Sequence, residues 1–157
     1  MSDRWFGKRR GTRRMILTAS MLITLAGCSF QPFSYTQEAF DERRARWELN
    51  ELTDYDYVYR RSCECLPAAT SAMTVAVRGG EVASATDTQS GANVSTYPYP
   101  TIDELFDLIQ DAIDREAQRL DVTYDTWLDY PTQIRIDYDL ETADDEFTIE
   151  ARDLAPM

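Results

Sequence analysis

Two cysteines stand one residue apart in the stretch YRRSCECLPAAT, and this spacing raises the first question of chemistry. Cys63 and Cys65 could form a disulfide, act as a redox pair, bind a metal through thiolates, or pack as two reduced thiols. On an extended strand their Cα atoms would lie about 6.6 Å apart, at the upper limit for a disulfide, so a bond requires a bend or bulge. A ring this short would restrict the unfolded chain very little, so the disulfide would add little stability.

A cluster of carboxylates near the C-terminus is the second candidate for chemistry. Oxygen ligands at alternate positions suit Ca²⁺, but the stretch lacks the glycine and the final glutamate spacing of an EF-hand loop. We therefore favour a solvated turn between two strands over a metal site. The possible metal ligands are Asp137, Asp139, Glu141, Asp144, Asp145 and Glu146.

Aromatic side chains form the third candidate group. The tyrosines at 55, 57 and 59 alternate within a predicted strand and are expected in the core. Aromatic residues in predicted loops indicate a possible partner surface, because exposed loop aromatics often bind. These loop residues are Tyr97, Tyr99, Trp127 and Tyr130.

The first 27 residues predict a secretory signal peptide. Residues 1–14 carry six basic side chains and one acidic one, and the apolar run MILTASMLITLAG covers residues 15–27. A bilayer span needs roughly 20 apolar residues, so this run is too short to be one. The arginine pair in TRRMIL is similar to a twin-arginine export motif, but an ordinary basic segment is favoured.

The end of this signal, LAGC at residues 25–28, resembles the lipobox of bacterial lipoproteins. The resemblance implies that Cys28 becomes the first residue of the mature chain and carries acyl chains such as palmitate. Several acyl chains anchor a protein stably in a membrane, whereas a single acyl chain does not. Ser29, rather than aspartate, implies sorting to the outer membrane. We therefore expect a lipid-anchored cell-envelope protein facing the periplasm and contacting the membrane through Cys28.

The expected compartment narrows the interpretation of the cysteine pair. Exported compartments are oxidising, and Cys28 is committed to lipid, so Cys63 and Cys65 remain to pair with each other. A short, strained disulfide is the favoured interpretation. Reduced packed thiols, a redox-active pair and a metal site remain as alternatives.

Composition excludes several functions. After removal of residues 1–27, the chain has 10 arginines and no lysine against 27 acidic residues, a formal charge of −17. Such a charge argues against nucleic acid and against direct binding to anionic lipid. The whole chain lacks histidine, which removes Ser-His and Cys-His catalysis and the commonest zinc ligand. No cofactor is expected.

The pattern along the chain predicts three parts: a signal peptide (1–27), a tether with a short helix (28–50) and a single domain (51–157). Alternation over Tyr55–Cys65 predicts a strand, and Gly79-Gly80 predicts the turn of a hairpin. Thr101 and Glu104 predict a capping box that begins an amphipathic helix reaching Leu120.

The element order is helix, three strands, helix, three strands. This order predicts an α+β fold with a small, mostly antiparallel sheet. The amphipathic helix should pack on one face of the sheet, and a short helix should precede the sheet at the N-terminal end.

Several of these features together resemble a family of uncharacterised bacterial secreted or lipid-anchored proteins, a domain of unknown function. The landmarks are the Tyr-rich strand ending in CEC, the Gly79-Gly80 hairpin, PTIDELFDLI, YDTWLDYPTQIRIDYD and ADDEFTI. They extend from about Trp47 to Ile149. Asp129 departs from the glycine that is usual before the Tyr-Pro pair, which leaves the shape of that turn open. The resemblance implies a compact α+β envelope domain and no known activity.

These observations favour a non-catalytic interaction or structural lipoprotein, with an envelope protein as a possible partner. We expect no enzyme activity, because no side chains stand in a recognisable catalytic order. The alternative is an envelope module that binds a ligand or Ca²⁺ through the acidic turn at residues 137–146 or through the aromatic loops.

Overall fold

The computed structural model describes residues 36–63, 71–96, 98–141 and 146–157. Along these segments the chain forms two α-helices and seven β-strands. The helices are α1 (Gln37–Glu48) and α2 (Ile102–Asp114). The strands are β1 (Tyr55–Ser62), β2 (Met73–Arg78), β3 (Glu81–Asp87), β4 (Asn93–Val94), β5 (Arg119–Tyr124), β6 (Pro131–Asp137) and β7 (Phe147–Pro156). The helix α2 follows β4 in the chain.

The seven strands form one antiparallel sheet in the order β4-β3-β2-β1-β7-β6-β5. The predicted α+β class is confirmed, but the prediction of a small sheet is wrong. The additional strand is β4, which consists of two residues and pairs with β3. Two residues are too few to show an alternating pattern in a sequence.

The central strand is β1, which pairs with β2 on one side and β7 on the other. Tyr55, Tyr57 and Tyr59 are buried on one face, while Asp56 and Val58 on the other face are partly exposed. The predicted alternation is therefore confirmed from Tyr55 to Tyr59, but it does not continue to Arg61, because Arg60 and Arg61 are both exposed. A sheet with one buried and one solvated face is the usual reason for such alternation.

The helix α2 begins as predicted. The Thr101 hydroxyl accepts from the Glu104 N–H at 3.2 Å, and the Glu104 carboxylate accepts from the Thr101 N–H at 2.7 Å. The helix ends at Asp114, six residues before the predicted end at Leu120. Glu116 follows with a φ of 53°, a left-handed conformation that commonly stops a helix, and Leu120 belongs to β5.

The helix α1 packs on α2 and contributes to the same core as the strands. Thr36 caps it, and the Phe40 ring lies 6.0 Å from the Phe106 ring in an edge-on contact. The Trp47 indole N–H donates to Asp103 at 2.9 Å. Neither helix in the described part of the chain is long and apolar enough to cross a lipid bilayer.

Two buried tyrosine hydroxyls connect β1 to the start of α2. The Tyr55 hydroxyl accepts from the Ile102 N–H at 2.9 Å, and the Tyr57 hydroxyl donates to the Pro100 carbonyl. Burial raises the pKa of Tyr55 to about 12, and the hydrogen bond from Ile102 opposes that rise. Burial also raises the pKa of Tyr57 well above its usual value. Both phenols are therefore neutral in the folded protein at neutral pH.

Replacing Tyr55 with phenylalanine should lower the free energy of unfolding at neutral pH by about 1–3 kcal/mol, because the buried Ile102 N–H loses its acceptor. The deficit should shrink at alkaline pH. Above about pH 10 the unfolded wild-type chain releases the Tyr55 proton while the folded chain keeps it, so the wild type loses stability until the pH reaches the folded pKa. Tyr55→Phe lacks this loss.

Urea unfolding of both proteins at neutral pH and at about pH 11 measures the change. The other buried tyrosines are common to both proteins and cancel in the difference. A deficit of the same size at both pH values would contradict the proposed pKa shift of Tyr55.

Candidate functional site

Cys63 directly follows β1 and is disulfide-bonded. Cys65 lies within residues 64–70, outside the described residues. The pairing of Cys63 with Cys65 therefore stays a prediction. The lipidation site Cys28 also lies outside the described residues.

The acidic turn is described only in part. Asp137, Asp139, Glu141 and Glu146 are described, whereas Asp144 and Asp145 are not. Asp137 is 7% exposed at the end of β6, and Glu146 pairs with Arg135 at 3.1 Å. Within residues 36–63, 71–96, 98–141 and 146–157, no three or more His, Cys, Asp or Glu side chains are grouped to hold a metal ion. Calcium binding by the complete turn stays a prediction.

The predicted loop aromatics do not form one surface. Tyr130 is 5% exposed and packs edge-on against Trp47 with ring centroids 6.4 Å apart, so it belongs to the core. Tyr99 is partly buried beside Tyr59, with 5.7 Å between ring centroids. Trp127 is 88% exposed. Tyr97 lies outside the described residues.

Trp127 lies in a turn that hydrogen bonds hold in place, residues 125–130, which we call the Trp127 turn. The Asp125 carboxylate accepts from the N–H groups of Trp127 and Leu128, each at 2.8 Å. The Asp125 N–H donates to the Tyr130 carbonyl at 2.9 Å. Asp129 has a φ of 57°, a left-handed conformation at the position where the resembling family usually has glycine.

Two side chains hold the Trp127 turn in place. They are Arg43 of α1 and Asn50, which follows the C-cap residue of α1. The Asn50 amide donates to the Leu128 carbonyl at 3.0 Å, and Arg43 forms an ion pair with Asp129. Leu49, the residue before Asn50, is 82% exposed. Two large apolar side chains in adjoining segments therefore face water, on a backbone that hydrogen bonds fix in place.

A cleft lies between α2 and the sheet, and we call it the α2 cleft. It has a volume of about 500 Å³, within the range of small-molecule sites. Its apolar wall is formed by Leu105, Leu108 and Ile149, with aromatic rings from Tyr59, Tyr99, Tyr138 and Phe147 around it. Four charged residues also line it: Arg61, Glu104, Asp111 and Arg115.

One end of the α2 cleft is a compact polar cluster. The Tyr138 hydroxyl donates to Asp111 at 3.1 Å, and Arg115 pairs with the same carboxylate oxygen at 3.3 Å. The Arg115 guanidinium also lies 3.9 Å from the centre of the Tyr138 ring. Burial raises the pKa of Tyr138, so its phenol carries no charge at neutral pH. The charges of Asp111 and Arg115 thus balance each other.

The other end of the cleft carries Arg61, whose guanidinium lies 4.5 Å from the centre of the Phe147 ring. Burial raises the pKa of the neighbouring Tyr59, although Arg61 opposes that rise. The alternating pattern of β1 contained one signal for this site: Arg61 has the same parity as the buried tyrosines. Arg61 itself is exposed, so the buried face of β1 ends after Tyr59 and opens into the cleft. The other elements of the cleft lie too far apart in the sequence for their meeting to be predicted.

The comparisons with known proteins name no activity. No curated protein and no solved structure matches the chain significantly. One family model matches residues 39–156, which includes every strand and nearly all of α1. The chain therefore belongs to the family of unknown function DUF6174.

Proposed function

We propose that the chain is a lipid-anchored protein of the cell envelope that works as a non-catalytic interaction protein. Acylated Cys28 holds it at the outer membrane, and the folded domain faces the periplasm. The lipid anchor is supported by LAGC at residues 25–28 after a basic and then apolar leader. The non-catalytic role is supported by the absence of histidine from the sequence.

The observation that carries the interaction role is the exposure of Trp127 on a turn that is fixed before any partner binds. Tryptophan is strongly enriched among the residues that dominate protein interfaces. A rigid turn loses little conformational freedom on binding, so most of the free energy from burying the indole contributes to affinity. Leu49 is a second exposed apolar side chain, and it precedes Asn50, whose amide donates to the Leu128 carbonyl of the Trp127 turn. The occupant we propose is a protein partner with an apolar pocket.

The charge of the mature chain favours a protein over the membrane surface as this occupant. A formal charge of −17 opposes approach to anionic head groups. A protein partner can present arginine or lysine around an apolar pocket and use the same charge to speed its association.

Replacing Cys28 with serine should abolish lipidation. Cells fed an alkyne-tagged palmitate should incorporate the label into the wild-type protein and none into Cys28→Ser, because serine offers no thiol for acylation. Immunoprecipitation followed by detection of the tag measures this. Cys63→Ser is the matched control and should keep the label. Equal labelling of Cys28→Ser and the wild type would contradict the proposed anchor.

A photo-crosslinking amino acid at position 127 should capture a discrete envelope protein in intact cells. The same amino acid at position 140 is the control, because Leu140 is 61% exposed but lies outside the Trp127 turn. Once the partner is purified, Trp127→Ala should weaken its binding by at least about 30-fold, the effect of a residue that dominates an interface. Leu140→Ala should leave the affinity unchanged.

Three outcomes would count against this role. A lipid adduct alone at position 127 would place the indole in the membrane, and the absence of any adduct would leave it without a partner. An equal loss of affinity in Trp127→Ala and Leu140→Ala would show that the turn is not the contact.

A further inference from the structure

The sheet ends on one side at β5, a strand of six residues whose outer edge is open. β5 is the last strand in the order and, within the part of the chain that the structure describes, it pairs only with β6. The opposite end of the sheet is the two-residue strand β4. A very short edge strand is one way in which proteins prevent further pairing, and β5 does not use it.

The backbone groups of β5 that point away from the sheet follow from the hairpin that joins β5 to β6. The Asp125 N–H donates to the Tyr130 carbonyl at 2.9 Å, so the backbone of Asp125 faces β6. The register shift in this pair of strands adds its extra residue to β6 and leaves β5 regular. Because backbone direction alternates along a strand, Leu120 and Val122 direct their N–H and C=O groups outward.

The solvated face of β5 carries two opposite charges, two residues apart. Arg119 and Asp121 form an ion pair at 2.6 Å, and their side chains are 46% and 58% exposed, so both can still be reached from outside. Charges on an edge strand usually keep other strands away. Here two copies that pair antiparallel about Leu120 bring opposite charges together, because each arginine then lies opposite the aspartate of the other copy.

Other registers of the same pairing lack this match. Centring the pairing on Asp121 places two aspartates directly opposite each other, which is destabilising, and centring it on Val122 leaves Asp121 without a cation opposite it. Around Leu120, the two Arg119–Asp121 pairs are of the kind without backbone hydrogen bonds, in which side chains approach most closely. The four side chains then form a ring of alternating charge.

We propose that the open edge of β5 binds a second copy of this chain, in an antiparallel pairing centred on Leu120 that joins two seven-stranded sheets into one. At physiological ionic strength, charges more than about 8 Å apart are largely screened, so the local charge pairs outweigh the repulsion between two acidic chains. This inference goes beyond the proposed partner interaction, because it uses the edge of β5 and not the Trp127 indole.

Reversal of the two charges tests the register. Two differently tagged copies of the complete protein are expressed in the same cells, and one tag is precipitated while the other is quantified. Arg119→Asp in both copies should reduce recovery of the second tag at least about tenfold, because aspartate then lies opposite aspartate. Arg119→Asp combined with Asp121→Arg should restore the recovery, because the charges around Leu120 alternate again.

Arg152→Asp is the matched control for the charge reversal. Arg152 pairs at 3.2 Å with Glu150, two residues away in the same strand, as Arg119 does with Asp121, but β7 is an inner strand of the sheet. The substitution makes the same change in net charge and should leave the recovery of the second tag unchanged. Thermal unfolding of each variant checks that the fold is intact.

Cysteine substitution at the centre of the pairing gives an independent readout. Leu120→Cys should form a disulfide-linked dimer on mild oxidation with copper phenanthroline, because the Cα atoms of a hydrogen-bonded pair lie about 5.5 Å apart, within disulfide range. Val122→Cys is the control, since Val122 lies on the same face and is half-buried like Leu120. In this register its two copies lie more than about 13 Å apart, so Val122→Cys should remain unlinked.

Four results would overturn the proposal: no recovery of the second tag with the wild type, no restoration by the double charge reversal, equal loss in Arg119→Asp and Arg152→Asp, or equal linking of Leu120→Cys and Val122→Cys. Trp127→Ala should leave the recovery unchanged. The failure of this proposal and the failure of the proposed partner interaction are therefore distinguishable.

Discussion

The arrangement of this domain depends on the hydrogen bonds of two phenols buried under a helix. A buried hydroxyl needs a partner, and the first N–H groups of a helix need acceptors that the helix cannot supply. Tyr55 on β1 meets both needs by accepting from the Ile102 N–H. Tyr57 donates to the Pro100 carbonyl, two residues before Ile102. These bonds fix where α2 begins over the sheet, and the walls of the α2 cleft follow from that position.

The starts of elements were predictable because local chemistry marks them. Thr101 and Glu104 satisfy each other's backbone groups, and this reciprocal bonding is readable from residue types and spacing alone. The end of α2 was not predictable in this way. Ala117 and Leu120 continue the helical spacing, and no glycine or proline interrupts it. Leu120 pairs with Ile136 across the sheet, so tertiary pairing decides its conformation.

The sites show the same division between local and long-range information. The sequence places Tyr130 in a loop because it follows a turn, but the left-handed backbone at Asp129 directs it into the core against Trp47. Trp127 could be placed on the surface from sequence because the turn around it is local. The cleft could not, because it joins β1, α2 and β7 across most of the domain. Only the position of Arg61 within the alternating strand pointed to it.

The place of β7 in the sheet has a consequence for how the chain becomes a folded protein. The first and last strands are neighbours at the centre, with Tyr55 opposite Pro156 and Ser62 opposite Thr148. Before the last strand arrives, β4-β3-β2-β1 and β6-β5 can form only as two separate ribbons, each with an unpaired inner edge. The final ten-residue strand closes both edges at once. Completion of the sheet therefore waits for the synthesis of β7, and a chain that lacks this strand exposes two strand edges to any neighbour able to pair with them.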